Sequence, residues 1–180
     1  MDAQDLYKRS KPADEIVPGL WLGNRHAAAD PQFISEKKIQ AVFNCSKDLP
    51  FLKSIPRQYR VPVDDSRQEP DISNLEKWSY EIVFKISQEV RRARADGTAV
   101  LVHCAAGMQR SAASVAMFLI ATQNMTANQA MQYIRSKREI AFIPEANFDK
   151  SIRGFEVVFN REVRPKLPAA HASNPGPPKL

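Results

Sequence analysis

Residues 99–111 read AVLVHCAAGMQRS, and no other stretch limits the possible folds so tightly. The apolar run 99–102 has the length and composition of a buried strand. It feeds a tight turn carrying Gly107, and the helical pattern SAASVAMFLIATQ opens at Ser111. A strand, a glycine-containing loop and a helix N-terminus in succession bring free backbone N–H groups and the positive helix end to one point, where phosphate binds. That point also carries Cys104 and Arg110, with five residues between them. A cradle, a sulfur nucleophile and a forked cation together suggest phosphoryl transfer through sulfur.

The rest of the chain supplies the layers around this unit. Residues 15–23 (EIVPGLWLG) predict a pair of strands about a Pro18–Gly19 turn. Asp30 and Pro31 form an N-cap and a first-turn proline ahead of a short helix. IQAVFN (39–44) is a buried strand, YRVPV (59–63) a short strand whose Pro62 puts it at an edge or an end, and 64–71 a polar loop. A long helix is predicted over 72–95, with Leu75, Trp78, Ile82, Ile86 and Val90 on one face and Asp96-Gly97 as its stop. Thr126 and Gln129 make a capping-box pattern for a helix over 126–138. The last helix is expected over 145–163, with Phe148, Ile152, Phe155 and Phe159 on one face. Strands alternating with helices predict an α/β or α+β domain around a central, at least partly parallel, sheet. The chain divides into a polar, mobile or docking arm (1–14), a catalytic domain (15–163) and a tail (164–180) expected to be disordered, since it holds five prolines and almost no large apolar residue.

Composition narrows the class. A chain of 180 residues with 43% hydrophobic and 26% charged residues is long enough for one domain with a sizeable core. No window reaches the apolar length of a membrane span, and the first fifteen residues are too polar for a signal peptide, so the expected location is cytoplasmic, with nuclear entry open. Two cysteines, Cys45 and Cys104, cannot build a disulfide framework. The histidines (His26, His103, His171) lack ligand spacing, so no metal is expected. The net charge of +6 favours anionic partners, phosphoproteins above nucleic acid, because no basic stripe interleaved with aromatics is present.

Within the loop each residue has a plain alternative. Free cysteines are commonly small buried apolar residues, and Cys45 fits that description. Cys104 instead meets a helix N-terminus, loop amides and an arginine, all of which lower a thiol pKa. Arg110 is ill placed at a helix N-terminus unless an anion sits there. Ser111 can serve as an N-cap, or as a hydroxyl that hydrogen-bonds sulfur and helps the thiolate leave. His103 is expected to orient the loop rather than move protons. Ala105, Ala106, Gly107, Met108, Gln109 and Arg110 would line the phosphate cradle.

HCAAGMQRS fits the pattern H-C-x5-R-S and resembles the signature of the cysteine-dependent dual-specificity protein phosphatases within the protein tyrosine phosphatase superfamily. The segments EIVPGLWLGN, VFNCSKDLP, VPVDD and IPEANF extend the resemblance over residues 14–160, and the loop wording is most similar to the compact poxviral members. The resemblance implies a five-stranded, mostly parallel sheet flanked by helices, a phosphocysteine intermediate, no metal or other cofactor, and phosphorylated proteins as substrates. It places the general acid at Asp65, with Asp64 the adjacent alternative; an acid is needed to protonate the leaving oxygen and then to activate water. Uncharged residues at 105, 106, 108 and 109 disfavour the alternative of a phosphoinositide phosphatase. Ala105-Ala106 and Ser111-Ala112 depart from the loop wording of the RNA 5′-triphosphatases. The presence of both Cys104 and Arg110 disfavours a catalytically inactive phosphate-binding module. Some relatives shield the catalytic thiol with a disulfide, for which Cys45 is the candidate, and some viral relatives dimerise through the N-terminal arm, so the chain is expected to be a monomer or such a homodimer.

Overall fold

A computed structural model of the chain describes residues 2–168. The elements in chain order are α1 (Ala3–Arg9), β1 (Ala13–Val17), β2 (Leu20–Gly23), α2 (Arg25–Ala28), α3 (Pro31–Glu36), β3 (Ile39–Asn44), β4 (Arg57–Arg60), α4 (Glu69–Lys77), α5 (Ser79–Asp96), β5 (Ala99–His103), α6 (Arg110–Thr122), α7 (Ala127–Lys137) and α8 (Asp149–Val158). A π-turn over Phe159–Val163 and a 3-10 turn over Arg164–Lys166 follow.

The continuous apolar run of β5 is explained by its place at the centre of a five-stranded sheet ordered β1-β2-β5-β3-β4. Strands buried on both faces have no need to alternate polar and apolar residues. β2, β5, β3 and β4 run parallel, and β1 turns back antiparallel on β2. The sheet is therefore mixed, with the parallel part carrying the site. Successive side chains point to opposite faces. Leu101, Val42 and Ala99 accordingly join Ala27, Ala28 and Ile34 of α2 and α3 on one side, and Ile39 joins them across the register shift between Ile39 and Ala41. Val100, Val102, Ala41, Phe43, Leu20 and Leu22 face α5 to α8 on the other. α6 runs through this second layer, and every residue from Ser111 to Ala121 is buried.

Several boundaries differ from the sequence expectation. The helix expected over 72–95 is two helices, α4 and α5, broken at Trp78. The hydroxyl of Ser79 donates to the Glu76 carbonyl at 2.6 Å, a local bond that competes with the helical ladder. The edge strand covers residues 57–60 rather than 59–63, since Pro62 has no N–H to donate and pairing stops before it. The expected polar loop over 64–71 is shortened because α4 starts at Glu69. α8 starts at Asp149, leaving 145–148 outside the helix.

Residues 3–9 form α1, capped where the Asp2 carboxylate accepts the Asp5 N–H at 2.8 Å, and Ala13 and Asp14 belong to β1. No residue of α1 is buried, and its apolar residues, Ala3, Leu6 and Tyr7, span only one helical turn, too little for a period to stand out in sequence. At the other end, Leu167 packs against the core, and the Arg164 guanidinium donates to the Ile120 carbonyl at 3.1 Å. The disorder expected for the remainder of the tail concerns residues 169–180, outside the described residues. Among the described residues, no helix is long and apolar enough to cross a membrane.

Candidate active site

The register pairs His103 with Gly23 on one side and with Asn44 on the other, so β5 ends level with both parallel neighbours. The loop 104–109 thus rises from the C-terminal edge of the parallel strands, the usual position of a ligand site in α/β sheets. At Gly107 the backbone adopts φ +66°, and an added Cβ would lie 2.5 Å from the Gly23 carbonyl oxygen. Only glycine fits both requirements.

Four consecutive loop carbonyls are held from outside. The Ala105 oxygen accepts the Arg25 N–H at 3.1 Å, and the Met108 oxygen accepts the Phe142 N–H at 2.8 Å. Between them, the Ala106 and Gly107 oxygens accept from Arg138, at 3.2 Å from Nη2 and 2.9 Å from Nε. In a planar trans peptide the N–H points opposite to the C=O. Tying the carbonyls outward therefore turns the amides of residues 106–109 to the other side, which is the cradle an anion needs. Arg138 is 1% exposed and completes its bonding with the Lys11 carbonyl and the Asp14 carboxylate, both at 2.8 Å. Sequence reading did not single out Arg138 or Asp14.

Cys104 lies buried at the base of this loop, its Sγ 3.1 Å from the Ser111 Oγ. Burial by itself pushes the thiol pKa up. The Ser111 hydroxyl, the Arg110 charge and the N–H groups of Ser111 and Gly107 outweigh it, and the net shift is downward. The other cysteine behaves oppositely: burial, with the charge of Cys104 adding to it, pushes the Cys45 thiol up to about 12. Cys45 follows the Asn44–His103 pair in register, and its N–H donates to the His103 carbonyl at 2.8 Å. The two cysteines thus leave adjacent strands side by side.

Burial pushes the His103 pKa down to about 4, so its ring is neutral at pH 7. Its Nδ1 lies 3.3 Å from the Cys104 carbonyl oxygen, and its Nε2 is buried without a protein partner. Arg110 donates from Nη1 to the Val63 carbonyl at 3.1 Å, while its Nε is buried and unpartnered. An unsatisfied guanidinium N–H beside the cradle leaves donor capacity for an anion.

The two candidate acids have different surroundings. The Asp64 carboxylate is 3.3 Å from Lys47 Nζ, and the Asp64 N–H donates to Asp71 at 3.0 Å. Asp65 is exposed and accepts from Asn147 Nδ2 at 2.8 Å. Asp71, missed from sequence, also takes the Ser66 hydroxyl and lies 3.6 Å from Lys47. Among the described residues no group of three or more His, Cys, Asp and Glu could hold a metal ion.

Comparison with known proteins agrees with this geometry. The family model "Dual specificity phosphatase, catalytic domain" matches residues 20–158. The chain is 31% identical over 150 residues to the Mus musculus "Dual specificity protein phosphatase 12", covering 81% of this chain and 42% of that protein. It spans less than half the length of the curated relatives it matches. The crystal structure of human DUSP28 is similar with a TM-score of 0.67 at 25% identity, over 83% of this chain and 95% of that one. A mouse putative dual specificity phosphatase complexed with zinc tungstate has a TM-score of 0.68 at 26% identity, over 84% of this chain and 90% of that one.

Proposed function

Since the chain belongs to the dual-specificity phosphatase family, we propose that it hydrolyses phosphotyrosine and phosphoserine or phosphothreonine in proteins through a phosphocysteine intermediate. The observation that carries this reading is the Cys104 thiol, lowered in pKa and 3.1 Å from the Ser111 hydroxyl, at the foot of a loop whose carbonyls are tied away from it. The backbone N–H groups of 105–110 and the Arg110 fork bind the phosphate dianion. The Cys104 thiolate attacks phosphorus in line, an S–P bond forms, and the P–O bond to the substrate breaks. Asp65 gives its proton to the leaving oxygen. Water then attacks phosphorus, Asp65 takes its proton, and the S–P bond breaks as Ser111 donates to the departing thiolate. Inorganic phosphate leaves and the enzyme returns to its starting state. Positioning and charge stabilisation supply most of the acceleration. His103, held neutral, orients the loop. The uncharged side chains at 105, 106, 108 and 109 favour phosphoproteins over phosphoinositides. A thiol that must remain reduced favours action inside the cell.

Hydrolysis of p-nitrophenyl phosphate in EDTA, wild type against Cys104→Ser, tests the chemistry. Metal-independent turnover abolished by the substitution is expected. Turnover that survives it rules out Cys104 as the nucleophile, and no turnover by reduced, folded wild type points instead to a phosphate-binding module. Phosphotyrosine and phosphothreonine peptides, a phosphoinositide and a 5′-triphosphorylated RNA then separate the substrate classes.

A further inference from the structure

Asp65 is exposed on residues 61–67, a segment without regular structure, yet a general acid must be held within hydrogen-bond reach of its leaving group. The loop 142–148 offers a firmer base. Phe142 and Phe148 at its two ends are buried, and the Phe142 N–H is bonded to the Met108 carbonyl. Gln109 of the phosphate loop, only 5% exposed, braces the middle. Its Nε2 donates to the Ile143 and Glu145 carbonyls at 3.2 and 2.9 Å, and its Oε1 accepts the Asn147 N–H at 2.9 Å. Two donated bonds and one accepted bond of its amide thus fall within this one loop. From that braced backbone, Asn147 Nδ2 reaches Asp65 Oδ1 at 2.8 Å.

We propose that Asn147 is a positioning residue that fixes the Asp65 carboxyl for proton transfer, with Gln109 as the strut that ties Asn147 to the phosphate loop. This rests on the reading of Asp65 as general acid. With Oδ1 engaged by the amide, Oδ2 is the oxygen that carries the proton to the leaving group and later takes one from water. The phosphate loop thereby sets both ends of the reaction: Cys104 at phosphorus, and through Gln109 and Asn147 the acid on the far side. Arg110, which donates to the Val63 carbonyl, is a second tie to the same segment. Asp64 has no part in this relay, since its carboxylate is paired with Lys47.

Protonation matters for a strongly basic leaving group and little for a weakly basic one, which gives a readout that general loosening of the fold does not move. Rates of the first, phosphoenzyme-forming step, read from phenol release in single turnovers and from kcat/KM, would be compared on phenyl phosphate and 2,4-dinitrophenyl phosphate for wild type, Asp65→Asn, Asn147→Ala and Asn147→Asp. Asn147→Ala is expected to lose about tenfold on phenyl phosphate, the size of one hydrogen bond, and less than about twofold on the dinitrophenyl ester. Asn147→Asp, nearly the same shape but an acceptor facing an acceptor, is expected to fall further on phenyl phosphate. Gln109→Ala is expected to show the same leaving-group pattern. Equal losses on both esters, or none on either, would overturn the positioning role. If Asp65→Asn itself shows no leaving-group dependence, the assignment of the acid fails and the relay falls with it; if Asp65→Asn shows the dependence and Asn147→Ala does not, only the relay fails.

Discussion

Replacing Arg138 by methionine removes four hydrogen bonds at once, to Ala106, Gly107, Lys11 and Asp14. Methionine fills much of the same space, so the loss is one of bonding more than of packing. Breaking a buried charge pair by deleting one partner costs about 3–5 kcal/mol. Lys11 lies 3.0 Å from the same Asp14 carboxylate and partly compensates it, which puts the cost at the lower end. For a chain of this size about 3 kcal/mol lowers Tm by roughly 6–12 °C. The effect on catalysis is separate. Two of the four outward tethers vanish, and the amides that follow them, those of Gly107 and Met108, are free to turn. Losing one preorganised donor costs about a hundredfold or more in kcat. Thermal unfolding followed by circular dichroism gives the first number, and kcat measured well below the new Tm gives the second. Asp14→Asn keeps an acceptor for Arg138 and is expected to retain most of the activity. A Tm within about 2 °C of wild type together with kcat within about threefold would refute the claim that Arg138 holds the cradle.

Other outcomes follow from the same geometry. Ser111→Ala removes the largest of the influences that lower the Cys104 pKa, so the midpoint of the pH dependence of iodoacetamide alkylation should move to higher pH; a midpoint unmoved or lower would contradict the sulfur–hydroxyl bond. Gly107→Ala should abolish turnover, because its Cβ meets the Gly23 carbonyl in a backbone conformation unfavourable to alanine, and wild-type kcat would show that the loop has another shape. Mild peroxide should oxidise Cys104 to a sulfenic acid that condenses with Cys45 to a disulfide, lost again on addition of dithiothreitol; a Cys45→Ser variant that recovers equally well would exclude the pair.

Much of this was legible because local chemistry agreed with the global fold. The run 99–102, the glycine and the helix after it are contiguous, so the single stretch 99–123 specified the central strand, the loop and the buried helix. The Thr126–Gln129 capping box is present with both of its bonds, 3.1 and 3.0 Å. What escaped is long-range. Arg138 meets Asp14 across 124 residues and Gly107 across 31, and neither end carries a pattern that names the other. Gln109 and Asn147 are 38 apart, and only the IPEANF segment flagged that region at all. The family resemblance favours Asp65 over the adjacent Asp64 as the acid. The contacts of Lys47 with Asp64 and of Asn147 with Asp65 are tertiary facts that neither residue's sequence surroundings announce. The break at Trp78 was hidden because apolar spacing runs through it unbroken, while the Ser79 hydroxyl that competes with the helix ladder is an ordinary residue in sequence.

The central claim is that phosphate passes through Cys104. Its most direct measurement is rapid acid quenching of the enzyme during turnover of a phosphotyrosine peptide, followed by peptide mapping under conditions that preserve the S–P bond. A phosphoryl adduct on Cys104 is expected, formed within the first turnover and accumulating further in Ser111→Ala, where departure of the thiolate is slowed. Full turnover with no adduct on Cys104 in either protein, or an adduct on another residue, would contradict it.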